Sequence, residues 1–506
     1  MVLTSYTRAA AAVLAGRIEV PRENIATLHA LCYRGLDRPP IAETGKLAAA
    51  WDEQPGLPAS WRLGATTADI EEGALAPSDT GAMLAAYNLW RAQLCTDPML
   101  AERTRYFAEA WEAYKAETGS VDFADMLSRG FEALPECPGA PEVMIIDEAQ
   151  DLTPAQWRLV RQWSTSPVLA RYVVAGDPAQ AIYGFAGARP DVFMQPVEPG
   201  HERMLSQSWR LPPAIHEYAE AQLARHSPPL MEGRDFRPRE GAQGEVRWSV
   251  ATWRQPERLL DDIEAQLDAK RTVMVLASCT YMLRPLLSVL RQQGIPFHNP
   301  YRRTNGAWNP LRGARDGEVA TVDRVLAYLR FDKGTWGEHH RPWTRQETVL
   351  WLDMLRASEF EGTKTRAIGE ALPRGVPEIL PADLIDVLNA DALDALTASP
   401  AGLRELVTRS LKRFAQPLEF ALAIYERRRA ALRETPMLTI GTVHSVKGGE
   451  ADCVIVFPDI SEAANMAAQT FEGRDALIRQ TYVAHTRARE ELVLCAPSPK
   501  GRTLPW

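Results

Sequence analysis

The sequence predicts an open α/β fold with two parallel-sheet cores, each interrupted by a mainly helical insertion. Three observations predict it. Five short apolar runs, VMIID (143 to 147), RYVVAGD (171 to 177), TVMVLAS (272 to 278), ADCVIVF (451 to 457) and EELVLCA (490 to 496), end in turn or acidic residues, as buried parallel strands do. Amphipathic stretches such as PAQWRLVRQW and YMLRPLLSVLRQQG alternate with them, the second closed by Gly294 where a helix C-cap belongs. Residues 35 to 119 and 301 to 435 break this rhythm, being rich in helix-type patterns, Trp and Arg but poor in strand-like runs.

The expected organisation is a first core over residues 1 to 34 and 120 to 203, interrupted by the insertion 35 to 119. A second core over 204 to 300 and 436 to 506 is interrupted by the insertion 301 to 435. A chain of 506 residues exceeds one hydrophobic core, and about three or four folding units are expected. With 46% hydrophobic and 24% charged residues the composition is that of a soluble globular protein. The net charge of -8 leaves room for a local basic groove, because screening confines each charge to its neighbourhood. Six scattered cysteines without a C-x-x-C pair read as reduced thiols of a cytoplasmic protein. The alanine-rich start is interrupted by Arg8 and Arg17, so it reads as neither a signal peptide nor a membrane span.

In an open parallel sheet, functional groups gather at the carboxyl ends of the strands. VMIID and RYVVAGD both deliver an acid there. Asp147 is suited to hold Mg²⁺ through an oxygen ligand, and Glu148 to orient or deprotonate a water that attacks a terminal phosphate. A solvated acidic loop is the alternative. GDPAQAIYGFAGA (176 to 188) follows the second strand, placing the Gln180 amide within reach of the same phosphate. Tyr183 and Phe185 beyond it are either stacking platforms for unpaired bases or core packing.

These residues resemble the UvrD-like superfamily 1 DNA helicases. DEAQD looks like the second motif of that family and GDPAQAIYGFAGA the third. SYTRAAA (5 to 11), TLHALC (27 to 32), DFADML (122 to 127), LSQSWRLP (205 to 212), TIGTVHSVKGGEADCVIVF (439 to 457) and RQTYVAHTRAREELVL (479 to 494) resemble further motifs, in the family's order. Their strength lies in the ordered set. The resemblance implies two RecA-like cores with ATP and Mg²⁺ between them and single-stranded DNA across their top. Arg210 and Arg487 would then be arginine fingers, Trp209 an adenine-stacking ring and Glu450 a ribose contact. Asp177, Lys447 and Gly448 fall on the nucleotide side with them. Tyr6, Thr7, Arg8, Thr27, His29, Thr442 and His444 fall on the family's DNA-contact positions. Surface ion pairs for the arginines, a partly buried core ring for Trp209 and structural roles for the two histidines are the alternatives. GEHHRPW (337 to 343) reads as a surface loop rather than a zinc site.

By the resemblance the activity is ATP-dependent, 3′ to 5′ movement on single-stranded DNA with strand separation. Its partners would be single-stranded DNA, single/double-strand junctions and accessory repair or replication proteins, with no membrane. Two departures stand out. No Gly-x-x-x-x-Gly-Lys-Ser/Thr loop precedes SYTRAAA, and ETGKLAA (43 to 49) lacks the first Gly and the hydroxyl. The first core is therefore expected to be incomplete at its N-terminus by one βα unit, on the order of 30 residues. The family's third motif commonly has Arg where this chain has Ala186, with Arg189 nearby as a substitute. A single-stranded DNA-binding module without ATP hydrolysis and a protein-interaction scaffold are the alternative functions.

Overall fold

In the computed structural model the described residues are 1–5, 20–63, 81–94, 98–195, 197–227, 234–302, 307–312, 319–329, 342–397, 402–499 and 501–503. Tyr6, Thr7, Arg8, Cys95 and most of GEHHRPW lie outside them. The chain divides into two compact units. One comprises Met1–Thr252, Leu276–Met282 and Thr442–Trp506, the other Trp253–Val275 and Leu283–Gly441.

Two sheets carry the fold, as expected of a two-core RecA-like α/β protein. The first has the order β2-β1-β3-β4, from β1 (Val2–Ser5), β2 (Ile25–Ala26), β3 (Val143–Asp147) and β4 (Arg171–Val174), all parallel. Ser5 pairs with Asp147 and Ile146 with Val174, so the ends of three strands lie side by side. β4 is an edge strand, and Val173 on it is 41% exposed. The second sheet has the order β5-β9-β8-β6-β7, from β5 (Glu245–Ser249), β6 (Val273–Ala277), β7 (Leu438–Thr442), β8 (Ala451–Val456) and β9 (Ala488–Cys495), with β5 and β8 parallel to β9. All five apolar runs of the sequence are strands. β2, β5 and β7 carry too few consecutive apolar residues to stand out, and it is pairing with stronger neighbours that makes them strands.

The helices follow their local signals. α1 (Leu28–Gly35) is capped by Thr27, whose side chain accepts from the Ala30 amide. In the first insertion α2 (Gly45–Asp52), α3 (Ala82–Ala92) and α4 (Pro98–Thr118) enclose an aromatic core of Trp51, Tyr87, Phe107, Trp111 and Tyr114. α5 (Phe123–Ala133) opens on a capping box between Asp122 and Asp125, and α6 (Pro154–Ser164) on one between Thr153 and Gln156. α6 covers the first sheet through Trp157, Leu159, Val160 and Trp163, packed with Met144 and Ile146 of β3. α7 (Pro213–Leu223) packs through Ala219 and Leu223 against Ala179, Ile478 and Tyr482. The last two belong to α8 (Phe471–His485).

The second unit is helical over the second insertion, including Thr321–Leu329, Arg345–Leu352, Gly402–Arg409 and Lys412–Arg428. Among the described residues of this stretch, extended pairing is limited to isolated bridges such as Trp343 with Ile379. Gly294 ends its helix with φ 63, and a Cβ there would lie 2.5 Å from the Ala423 backbone, so only glycine fits.

Candidate active site

β3 brings Asp147 to the end of the first sheet, and the chain turns sharply at once. Glu148 adopts φ 55, ψ 37, the left-handed region that a residue with a Cβ rarely occupies. This turn aims the Glu148 carboxylate away from the strand, and Gln150 Nε2 donates to it at 2.5 Å. The Asp147 carboxyl is pushed up by burial and by the Glu148 charge. Glu148 is pulled the other way: burial opposes ionisation, but the Lys447 ammonium beside it holds its carboxyl below the usual range. It is therefore an ionised oxygen base at neutral pH.

The turn after β4 supplies the amide. Asp177 caps the 3₁₀ turn Pro178–Gln180 by accepting from the Ala179 amide at 3.0 Å, and Gln180 Nε2 donates to its other oxygen at 3.0 Å. Gln150 Oε1 accepts from the Asp177 amide at 3.1 Å, tying this turn to the DEAQD turn. A Cβ at Gly176 would lie 2.4 Å from that Gln150 oxygen and displace it, so glycine preserves this tie.

From the second sheet come the cations. Arg487, at the end of α8, is 1% exposed, and its guanidinium donates to Gln180 Oε1 at 3.1 Å, Val483 O at 2.9 Å and Gly449 O at 3.3 Å. No carboxylate lies within ion-pair distance of it among the described residues. Burial, with Arg210 nearby, pushes it down to about 9. It is a buried positive charge held by neutral oxygens, a setting that favours an incoming anion. Arg210 donates to Glu450 Oε2 at 2.8 Å and to Thr486 O at 3.2 Å. Trp209 beside it is 85% exposed, so the core-ring alternative does not hold for this residue.

Lys447, after the turn that follows β7, reaches the turns that follow β3 and β4 within the same compact unit. Its ammonium pairs with an Asp151 carboxylate oxygen, lies 3.3 Å from Glu148 Oε2, donates to Gln180 O at 2.7 Å and sits 5.5 Å from the Tyr183 ring centre. Gly448 follows with φ 83. Among residues that the sequence reading passed over are Arg234 and Arg479. Arg234 donates to Asp177 at 3.1 Å, to both Glu220 oxygens and to the Tyr482 hydroxyl. Asp177 is thus occupied by a cap and an ion pair. Arg479 donates to Ala181 O at 2.7 Å. Their signal was out of sight in the sequence, since each partner lies far along the chain.

The residues read as DNA contacts separate into two groups. Tyr183 is 4% exposed, its hydroxyl donating to His444 O at 3.1 Å, while Phe185 next to it keeps more of its ring at the surface. His444 Nε2 meets Ile182 O at 3.2 Å, and its ring lies edge-on to Phe185 at 5.2 Å. Thr442 is fully buried and accepts from the Ser445 amide. Thr27 is the cap already described, and His29 lies edge-on to Phe123 at 6.2 Å.

A second carboxylate group, Glu112, Asp122 and Asp125, has metal-ligand spacing. Lys115 and Arg91 already fill it, as Lys115 Nζ lies 2.8 Å from Asp122 and 2.6 Å from Asp125 and Arg91 donates to both oxygens of Asp122. It is an internal ion network rather than a cation site.

The fold and this site define a class: a two-sheet RecA-like α/β protein in which the turns after β3 and β4 meet Lys447 and Arg487. Residues 1–198 match the UvrD/REP helicase N-terminal domain and residues 437–495 the UvrD-like helicase C-terminal domain, together about half of the chain. The chain belongs to the UvrD/Rep helicase family. It is 36% identical over 126 residues to the RecBCD enzyme subunit RecB of Escherichia coli (strain K12), a match covering 22% of this chain and 11% of that subunit. It is 30% identical over 123 residues to the ATP-dependent DNA helicase Rep of the same strain, covering 21% and 18%. To the F-box DNA helicase protein 1 of Schizosaccharomyces pombe it is 29% identical over 112 residues, covering 22% and 12%. Among the described residues no helix is long and apolar enough to cross a membrane.

Proposed function

We propose that this protein uses ATP to move 3′ to 5′ along single-stranded DNA and separate strands at single/double-strand junctions. One observation carries the reading: Glu148, Gln180 and Arg487 converge, with a buried guanidinium that has no acid partner. The residues fit a divalent ion and a triphosphate, because the neighbouring Asp147 and Glu148 offer carboxylate oxygens and the buried Arg487 guanidinium has no carboxylate within ion-pair distance among the described residues. Asp147, with Glu148 beside it, would hold Mg²⁺, which when bound neutralises and orients phosphate oxygens.

The chain's own residues divide the remaining work. Glu148 takes the proton of the attacking water, and Gln180 orients that water against the terminal phosphate. Arg487 offsets the charge that develops there, and Arg210 joins it on release from Glu450. Glu450, which also lies 3.6 Å from Arg489, then turns to the ribose hydroxyls, and exposed Trp209 offers a face to adenine. The Asp177 cap sets the angle of Gln180, a supporting role rather than a nucleotide contact. Phe185 is the stacking ring of its pair, whereas Tyr183 supports it from beneath. Tyr6, Thr7, Arg8, Thr27, His29, Thr442 and His444 line the proposed DNA path in the family's order, with accessory repair or replication proteins as further partners and the cytoplasm as the compartment.

A second reading has its own observation: no Gly-x-x-x-x-Gly-Lys-Ser/Thr run occurs in the 506 residues. On that ground the chain binds single-stranded DNA while its own ATP turnover is very low. Oligonucleotide-stimulated ATP hydrolysis and fluorescence anisotropy on the 506-residue chain separate the two. Phe185→Ala should weaken oligonucleotide affinity by about 1–3 kcal/mol. Turnover lost on Glu148→Gln supports the enzyme, binding without turnover supports the module, and no binding at all leaves only a scaffold.

A further inference from the structure

We propose that Lys447 is a tethered counter-cation that excludes a divalent ion from the Glu148 and Asp151 carboxylates, so that the ion enters only when the lysine withdraws. The inference rests on the reading of Asp147 and Glu148 as the acids of the nucleotide site.

The ammonium is chelated rather than loosely paired. All its partners, Asp151, Glu148, Gln180 O and the Tyr183 ring, belong to the first core, while Lys447 itself follows the 3₁₀ turn His444–Val446 of the second. Lys447 is 7% exposed, so water screens this cluster poorly. A divalent ion at the same oxygens would meet the ammonium at close range with little screening, and the two cations exclude each other. Two acids, Glu148 and Asp151, pair with this single ammonium, so its withdrawal leaves both carboxylates without an ion-pair partner to draw a stronger cation.

The residue that follows Lys447 is an unpacked glycine. Gly448 has φ 83, and no atom lies within 4 Å of the position its Cβ would take, so the link after the lysine is neither wedged nor packed. At the other end of the turn His444 holds the Tyr183 hydroxyl at 3.1 Å and touches Phe185. Lys447 is therefore a positioning residue, acting through Glu148 and Asp151.

The test uses Mn²⁺ alone, its free concentration read by electron paramagnetic resonance, on the full chain. Lys447→Met should bind Mn²⁺ at least tenfold more tightly than wild type, and Lys447→Arg, which keeps the charge, should stay within twofold of it. A purely structural lysine would not move this readout upward. Because Lys447→Met leaves Asp151 buried without its cation, Lys447→Met combined with Asp151→Asn is the folded fallback, expected to bind at least threefold more tightly than Asp151→Asn. Mn²⁺ affinity unchanged in both comparisons, yet lost on Asp147→Asn, overturns the exclusion while the reading of Asp147 stands. Tight binding by Lys447→Met that persists when Asp147→Asn is added supports exclusion and removes Asp147 as the ligand. No binding by any of the proteins overturns both.

Discussion

Two buried charge clusters in this protein use the same residue types to opposite ends. Where the first insertion meets α5, Asp122 and Asp125 hold Arg91 and Lys115 in a network that also takes the Trp111 indole N–H at 2.9 Å. Acids and cations there satisfy one another, and both Asp122 and Asp125 also cap α5. At the end of β3 the balance is left open. Glu148 and Asp151 share one lysine, and Arg487 hydrogen-bonds only to neutral oxygens among the described residues. A closed network ties elements together, whereas an open one keeps charge available for a ligand.

The comparison is broken most severely by Asp122→Ala, which removes the hub of the closed network and a helix cap together. Urea denaturation should show a loss of about 4–6 kcal/mol. A loss below 1 kcal/mol would mean that the network is dispensable.

Glu43 marks the margin of that network and sharpens it. Its Oε2 has no hydrogen-bond partner, and Asn88 reaches its other oxygen only at 3.5 Å. Burial, with Asp122 nearby, pushes its carboxyl from 4.5 to about 8. The folded form therefore keeps a proton that the unfolded form releases. Its contribution to stability is complete below pH 4.5 and is lost as pH rises to about 8, after which it is constant. Glu43→Gln should equal wild type at pH 4.5 and exceed it at pH 9 by on the order of 3 kcal/mol. Equal urea midpoints at both pH values would contradict this.

The smallest stability effect is expected in the open cluster. Arg487→Met removes a buried cation that no acid neutralises, and thermal melting should place it within about 1 kcal/mol of wild type or above. If the variant is strongly destabilised instead, Arg487 is a structural cation and the contrast between the two clusters fails.

Much of the fold was legible because buried strands and amphipathic helices write their periods locally. VMIID, RYVVAGD and the helix of PAQWRLVRQW are examples. β5, EVRWS, shows what local pattern misses: its residues alternate in character and it becomes a strand by pairing with β9. In the site, motif order pointed to Glu148, Gln180, Arg210 and Arg487. It did not separate Tyr183 from Phe185, because two aromatics at this spacing give no sign of which one His444 covers.

By itself the sequence determined that acids end two parallel strands, that Gly294 closes its helix, and that the motifs run in the order of the UvrD/Rep family. Tertiary structure alone decided which cation each acid receives. Lys447 reaches Asp151 across 296 residues and Arg487 reaches Gln180 across 307. Such pairings depend on where the second sheet sets its strand ends against the first, a matter of global packing that no local period records.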